Sequence, residues 1–97
     1  MKVHLAVRGV HPLYKIFGKK KDIDFEFPGN TMKDLVKGLI GAYGNDVNKA
    51  LLDAHGDIDM ELRVFVNNKD DHLLYGQRLN RVLNEGDTVY IMGAGIA

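Results

Sequence analysis

The side chains best equipped for acid–base or metal chemistry are the four histidines, His4, His11, His55 and His72. None stands four residues from another, and none has a carboxylate at a ligand spacing on a shared helix face. They read as surface or half-buried histidines, and no metal site is expected. The chain has no cysteine, which removes thiolate ligands, iron–sulfur clusters, disulfides and thiol nucleophiles together. It has no serine either, which closes Ser-His-Asp chemistry. The acid pairs Asp57/Asp59 and Asp70/Asp71 lie in polar turns, where solvation explains them. Gly93-Ala94-Gly95 is glycine-rich, but a phosphate loop needs a helix after it, and only Ile96 and Ala97 follow. No catalytic residue and no cofactor is expected, so the chain reads as a non-enzyme.

Bulk properties narrow the partners. Ninety-seven residues make one domain with a single core. Thirteen Lys+Arg balance thirteen Asp+Glu, with a pI near 6.9. A general nucleic-acid or membrane-surface binder would carry a basic excess, so neither partner is expected. The balance is uneven along the chain: Lys2, Arg8, Lys15, Lys19, Lys20 and Lys21 precede the first acid, Asp22. No run approaches the roughly 20 apolar residues of a membrane helix, and the apolar N-terminal run is too short for a signal peptide. A cytoplasmic protein, monomeric or weakly self-associating, is the expectation.

Any site must be positioned by elements that periodicity locates. Met1, Val3, Leu5 and Val7 share one face of a first strand over residues 1 to 9, with Lys2, His4, Ala6 and Arg8 on the other. Residues 10 to 21 read as a long connection whose Leu13, Tyr14, Ile16 and Phe17 pack partly on the domain. Ile23, Phe25 and Phe27 alternate with Asp22, Asp24 and Glu26 in the clearest strand. Thr31 is placed to cap a helix, with Asp34 three residues on reaching back. Met32, Leu35, Val36, Leu39, Ile40 and Tyr43 follow at helical spacing as one stripe facing a sheet, and Gly38 and Gly41 point to close packing. Val47, Leu51 and Leu52 indicate a short second helix. Strands are expected over Glu61–Asn67 and Thr88–Met92, a short edge strand over His72–Tyr75, and turns at 67–70 and 83–87. Hairpin, crossing helix and further strands, with the last strand beside the first, define an α+β β-grasp. It has a mixed sheet of four to five strands on one main helix plus a short second helix. Residues 1–92 are its single domain and 93–97 a flexible tail.

Two features stand out as sites. With Val64 and Val89 inward, Arg63, Phe65, Tyr90 and Met92 face outward beside Arg8. Three large apolar side chains with two arginines, on the face the helix does not cover, have an interface composition. The competing reading is that the 10–21 connection covers them through Tyr14 or Phe17. The second feature is the tail Gly93-Ala94-Gly95-Ile96-Ala97, a slender run of small residues.

Val64-Phe65-Val66-Asn67-Asn68-Lys69-Asp70, then Leu83-Asn84-Glu85-Gly86-Asp87-Thr88-Val89-Tyr90-Ile91 and the small-residue tail, resemble the second half of MoaD/ThiS proteins. Pro28-Gly29-Asn30-Thr31-Met32-Lys33-Asp34-Leu35 resembles that family's turn and capped helix start. The resemblance implies a ubiquitin-like sulfur carrier. In such a protein an E1-like adenylating enzyme activates the C-terminal carboxylate, which becomes a thiocarboxylate and passes its sulfur to an acceptor enzyme of cofactor or cysteine biosynthesis. The outer face would then be the docking surface. The sequence departs from the pattern at Gly95-Ile96-Ala97, where the family carries Gly-Gly. Three readings stay open: the native chain continues past Ala97, the tail is processed, or the fold and surface persist without carrier chemistry. The last is a non-carrier β-grasp interaction module.

Overall fold

In the computed structural model, which describes residues 1–67, 69–70 and 77–93, the alternating segments pair as expected. Strand β1 (Lys2–Arg8) runs antiparallel to β2 (Asp22–Glu26), with Val3 opposite Phe25 and Leu5 opposite Ile23. Val3, Leu5 and Val7 are buried on the face toward the helices. Between these strands the chain is not a plain connection. It forms a helix, α1 (His11–Ile16), that begins with a proline in its first turn, where the missing N–H costs nothing. Leu13 and Phe17 anchor it in the core, with Ile16 packed alongside. Gly18 and Lys19 then take left-handed backbone angles, φ 69° and 65°, and their N–H groups return to Lys15 and Tyr14 carbonyls, a helix end of the Schellman kind.

Helix α2 (Met32–Tyr43) starts on a complete capping box. Thr31 Oγ1 accepts the Asp34 N–H at 3.2 Å, and Asp34 accepts the Thr31 N–H at 3.2 Å. Its apolar stripe, Met32, Leu35, Val36 and Leu39, is buried against the sheet. The close packing expected at two glycines holds at one. A Cβ on Gly38 would stand 2.9 Å from Phe27 Cβ and 3.1 Å from Phe25 Cε2, whereas one on Gly41 would meet nothing within 4 Å. Helix α3 (Asp46–Leu51) follows, held by Val47 and Leu51.

Strand β3 (Arg63–Val66) leads through Asn67, at φ 54°, into the two-residue strand β4 (Lys69–Asp70). Lys69 and Asp70, expected in a turn, therefore pair with Val66 and Phe65 instead; pairing resumes as soon as left-handed Asn67 reverses the chain. The edge strand expected over His72–Tyr75 lies outside the described residues. Arg78 to Asn80 form a 3₁₀ turn, and β5 (Thr88–Met92) closes the sheet in the order β2-β1-β5-β3-β4. β5 is parallel to β1 and antiparallel to β3. The result is the expected mixed β-grasp sheet, with three α-helices among the described residues where two were foreseen.

Candidate functional site

The outer face is assembled by strand register. Tyr90 lies opposite Phe65 on one side and Ala6 on the other, and Met92 lies opposite Arg63 and Arg8. Arg8, Phe65, Tyr90 and Met92 line one shallow depression and are each partly buried. Arg63 is exposed, its guanidinium carbon 5.0 Å from the centre of the Phe65 ring, within cation–π range. All five residues singled out from the sequence thus share one surface. Ala6, grouped with them by alternation, is 1% exposed; its methyl lies between the larger in-register residues Asp22 and Tyr90.

Helix α1 does not line this depression. Phe17 is buried on the helix side, its ring edge-on to Tyr43 at 5.0 Å. Tyr14 stacks near His11, with centroids 6.3 Å apart, and borders a second depression with Val7, Arg8, Gly9, Val10, His11 and Lys21. Arg8 divides the two. Its guanidinium donates to the Val7 and Lys21 carbonyls at 2.9 and 3.1 Å and reaches the Asp22 carboxylate at 3.4 Å. The arginine is therefore oriented before any partner arrives.

Beside the apolar surface lies a polar cluster that the sequence reading passed over. His4 Nδ1 meets Asp24 at 3.0 Å and Nε2 meets Asp22 at 3.2 Å. The Asp24 hydrogen bond raises the His4 pKa most; burial opposes it, and Asp22 adds to the rise. The signal was present in the alternation. His4 points outward from β1, Asp22 and Asp24 point outward from β2, and hairpin register brings them together. Among the described residues no group of three or more His, Cys, Asp or Glu is arranged to hold a metal. His55 is exposed, and His72 lies outside the described residues.

Gly93, grouped with the tail from the sequence, is buried and continues the β1–β5 ladder, its N–H donating to Arg8 O at 2.8 Å. A side chain there would strike the carbonyl oxygen of Gly9, so glycine is required by close backbone approach. Ala94, Gly95, Ile96 and Ala97 lie outside the described residues. The motif residues before β5 prove to be structural. Asp87 is buried, accepting from Asn67 Nδ2 and the Asn84 N–H, both at 2.8 Å. Asn67 Oδ1 in turn accepts the Thr88 N–H at 2.8 Å. This lock sets β3 against β5. Arg78, also missed, is buried and donates to the carbonyls of Leu62, Ile58 and Asp59 at 2.6, 3.1 and 2.8 Å, fixing the approach to β3.

Sheet order, capped helix and the emergence of β5 beside the outer face define a ubiquitin-like β-grasp fold. Solved structures agree. CysO of Mycobacterium tuberculosis aligns at TM-score 0.74 and 21% identity, over 95% of this chain and 98% of that one. Urm1 of Trypanosoma brucei aligns at 0.73 and 23%, over 99% and 94%. The BexX/CysO complex of Amycolatopsis orientalis aligns at 0.76 and 19%, over 98% of each chain. No family profile and no curated protein sequence matches. The fold implied by the MoaD/ThiS resemblance is the fold found.

Proposed function

We propose that the protein is a ubiquitin-like sulfur carrier that docks through the Arg8, Arg63, Phe65, Tyr90 and Met92 surface. The observation that carries this reading is where the last strand leaves the sheet. β5 lies between β1 and β3, contributes Tyr90 and Met92 to the outer face, and ends at Met92 within that face. An enzyme seated on the surface would receive the following residues directly. In the carrier reaction the C-terminal carboxylate attacks ATP, releasing pyrophosphate and leaving an acyl adenylate. Sulfide from the donor then attacks the acyl carbon and expels AMP, giving the thiocarboxylate and releasing a proton. Solved neighbours of the sulfur-carrier type, one of them a BexX/CysO complex, support the reading. So does a side-chain set in which the reactive group need not be a cysteine or serine. An E1-like enzyme and an acceptor enzyme are the partners it calls for, and a cytoplasmic location belongs with it.

Intact mass spectrometry of the full-length native protein after incubation with ATP, its E1-like enzyme and a sulfur donor tests this. The expected product is heavier by the exchange of one oxygen for sulfur. An unchanged mass would sink the carrier role. A second reading, a non-carrier interaction module, rests on the surface alone. In that case, partner binding survives removal of residues 94–97 but is lost with Phe65→Asp or Tyr90→Asp.

A further inference from the structure

The depression on the α1 side has a different chemistry from the outer face. Val7, Gly9, Val10 and Tyr14 supply an apolar floor and wall, and Arg8, His11 and Lys21 stand at its border. Lys15, Lys19 and Lys20 lie on the same segment and are exposed. These lysines are not on a loose loop. Lys19 is held in the left-handed region and bonded to Tyr14 O at 2.8 Å, while Lys21 O accepts the Val7 N–H at 2.8 Å. Among the described residues Lys15, Lys19, Lys20 and Lys21 have no ion-pair partner, and the nearby Asp22 is engaged by Arg8 and His4. The root of the tail stands alongside: Gly93 packs on Gly9, a wall of this depression.

We infer that this depression docks an acidic polypeptide segment, with an apolar side chain entering beside Tyr14 and flanking carboxylates meeting Lys20, Lys21 and His11. Charge complementarity selects the occupant: Lys21 and Arg8 line the apolar site, Lys15, Lys19 and Lys20 are exposed on the same segment without an ion-pair partner among the described residues, and like charges exclude a basic partner. A peptide fits better than RNA. The positive segment is bounded by Asp22, Asp24 and Glu26 on β2, which interrupt the continuous cationic track that a nucleic-acid backbone requires. In the carrier reading, on which this second role partly rests, such a segment would belong to the enzyme that receives the tail. It would engage the side of Arg8 opposite the outer face.

The test uses the full-length protein and a short peptide alternating glutamate with leucine, followed by amide NMR at low salt. Shifts are expected to concentrate in residues 7–21. Lys20→Glu/Lys21→Glu should weaken binding several-fold, added salt should weaken it further, and Lys33→Glu/Lys49→Glu should leave it unchanged. Shifts spread evenly over all lysines, or binding indifferent to the Lys20/Lys21 reversal, overturn the proposal. A single-stranded RNA that displaces the peptide at equal concentration overturns the choice of a polypeptide. None of these readouts uses adenylation, so they stand even where the carrier assay fails. Where adenylation occurs, the same reversal should raise KM for the carrier and leave kcat unchanged.

Discussion

His4 is the side chain whose behaviour follows most directly from its surroundings. Two carboxylates favour its protonated form, so its pKa is higher folded than unfolded. Its stabilising contribution is therefore complete below the ordinary histidine value of about 6.5 and is lost as pH rises through the folded value. The ring is 42% exposed, and ion pairs of that exposure contribute about 0–1 kcal/mol. Urea midpoints measured from acid to mildly alkaline pH should fall slightly across that window in the native protein, and His4→Gln should flatten the dependence. Asp34 works in the opposite direction. Hydrogen bonds from the Asn30 N–H, the Thr31 hydroxyl and the Thr31 N–H lower its pKa, so its contribution is present above the ordinary carboxylate range and is lost as pH falls through the folded value. At Gly93 the constraint is steric. Gly93→Val should cost about 1–3 kcal/mol as an overpacked site, read as a lower denaturation midpoint, and should displace the root of the tail.

At the scale of elements, α2 shows what a sequence carries and what it leaves open. Its capping residues and apolar stripe are written locally, and Thr31→Ala should lower stability by about 1 kcal/mol. The two glycines inside it look alike in sequence because nothing local says which one faces β2. The structure separates them. Gly41→Ala meets open space and should stabilise by about 0.5–1 kcal/mol through helix propensity, while Gly38→Ala should destabilise by crowding Phe25 and Phe27. Thermal unfolding of the pair decides it, and a stabilised Gly38→Ala would contradict the close approach. Helix α1 was legible in part, since Leu13, Ile16 and Phe17 carry the helical spacing. Six residues give too short a period to outweigh Pro12, Gly18 and the lysine run, and tertiary burial of Leu13 and Phe17 completes what propensity leaves weak. Register, in contrast, is invisible along one strand. The five surface residues were named from alternation, but the His4–Asp22–Asp24 cluster needed two strands aligned.

Over the whole molecule, the two depressions either side of Arg8 give the tail root a surface of two kinds, apolar toward β3 and cationic toward α1. Phe65→Asp, at a half-buried position of the outer face, should lower stability by about 1 kcal/mol, the ordinary cost of a point substitution, and leave the chain folded. Under the carrier proposal it abolishes docking of a partner enzyme in a pull-down or calorimetric titration. A matching loss of fold would place Phe65 in the core instead. The placement of β5 has a consequence for how the protein is made. The strand at the middle of the sheet is the last of the five described strands in chain order. β1 and β3 therefore have no common neighbour until Thr88 to Met92 have left the ribosome, and the contacts completing the domain span nearly its full length. A partly synthesised chain leaves both strand edges unpaired, a state chaperones or proteases can engage. Closing the sheet in this way ties the outer face to completion of the domain: a chain interrupted before β5 lacks Tyr90 and Met92, and with them the strand that aligns Arg8 with Arg63 and Phe65.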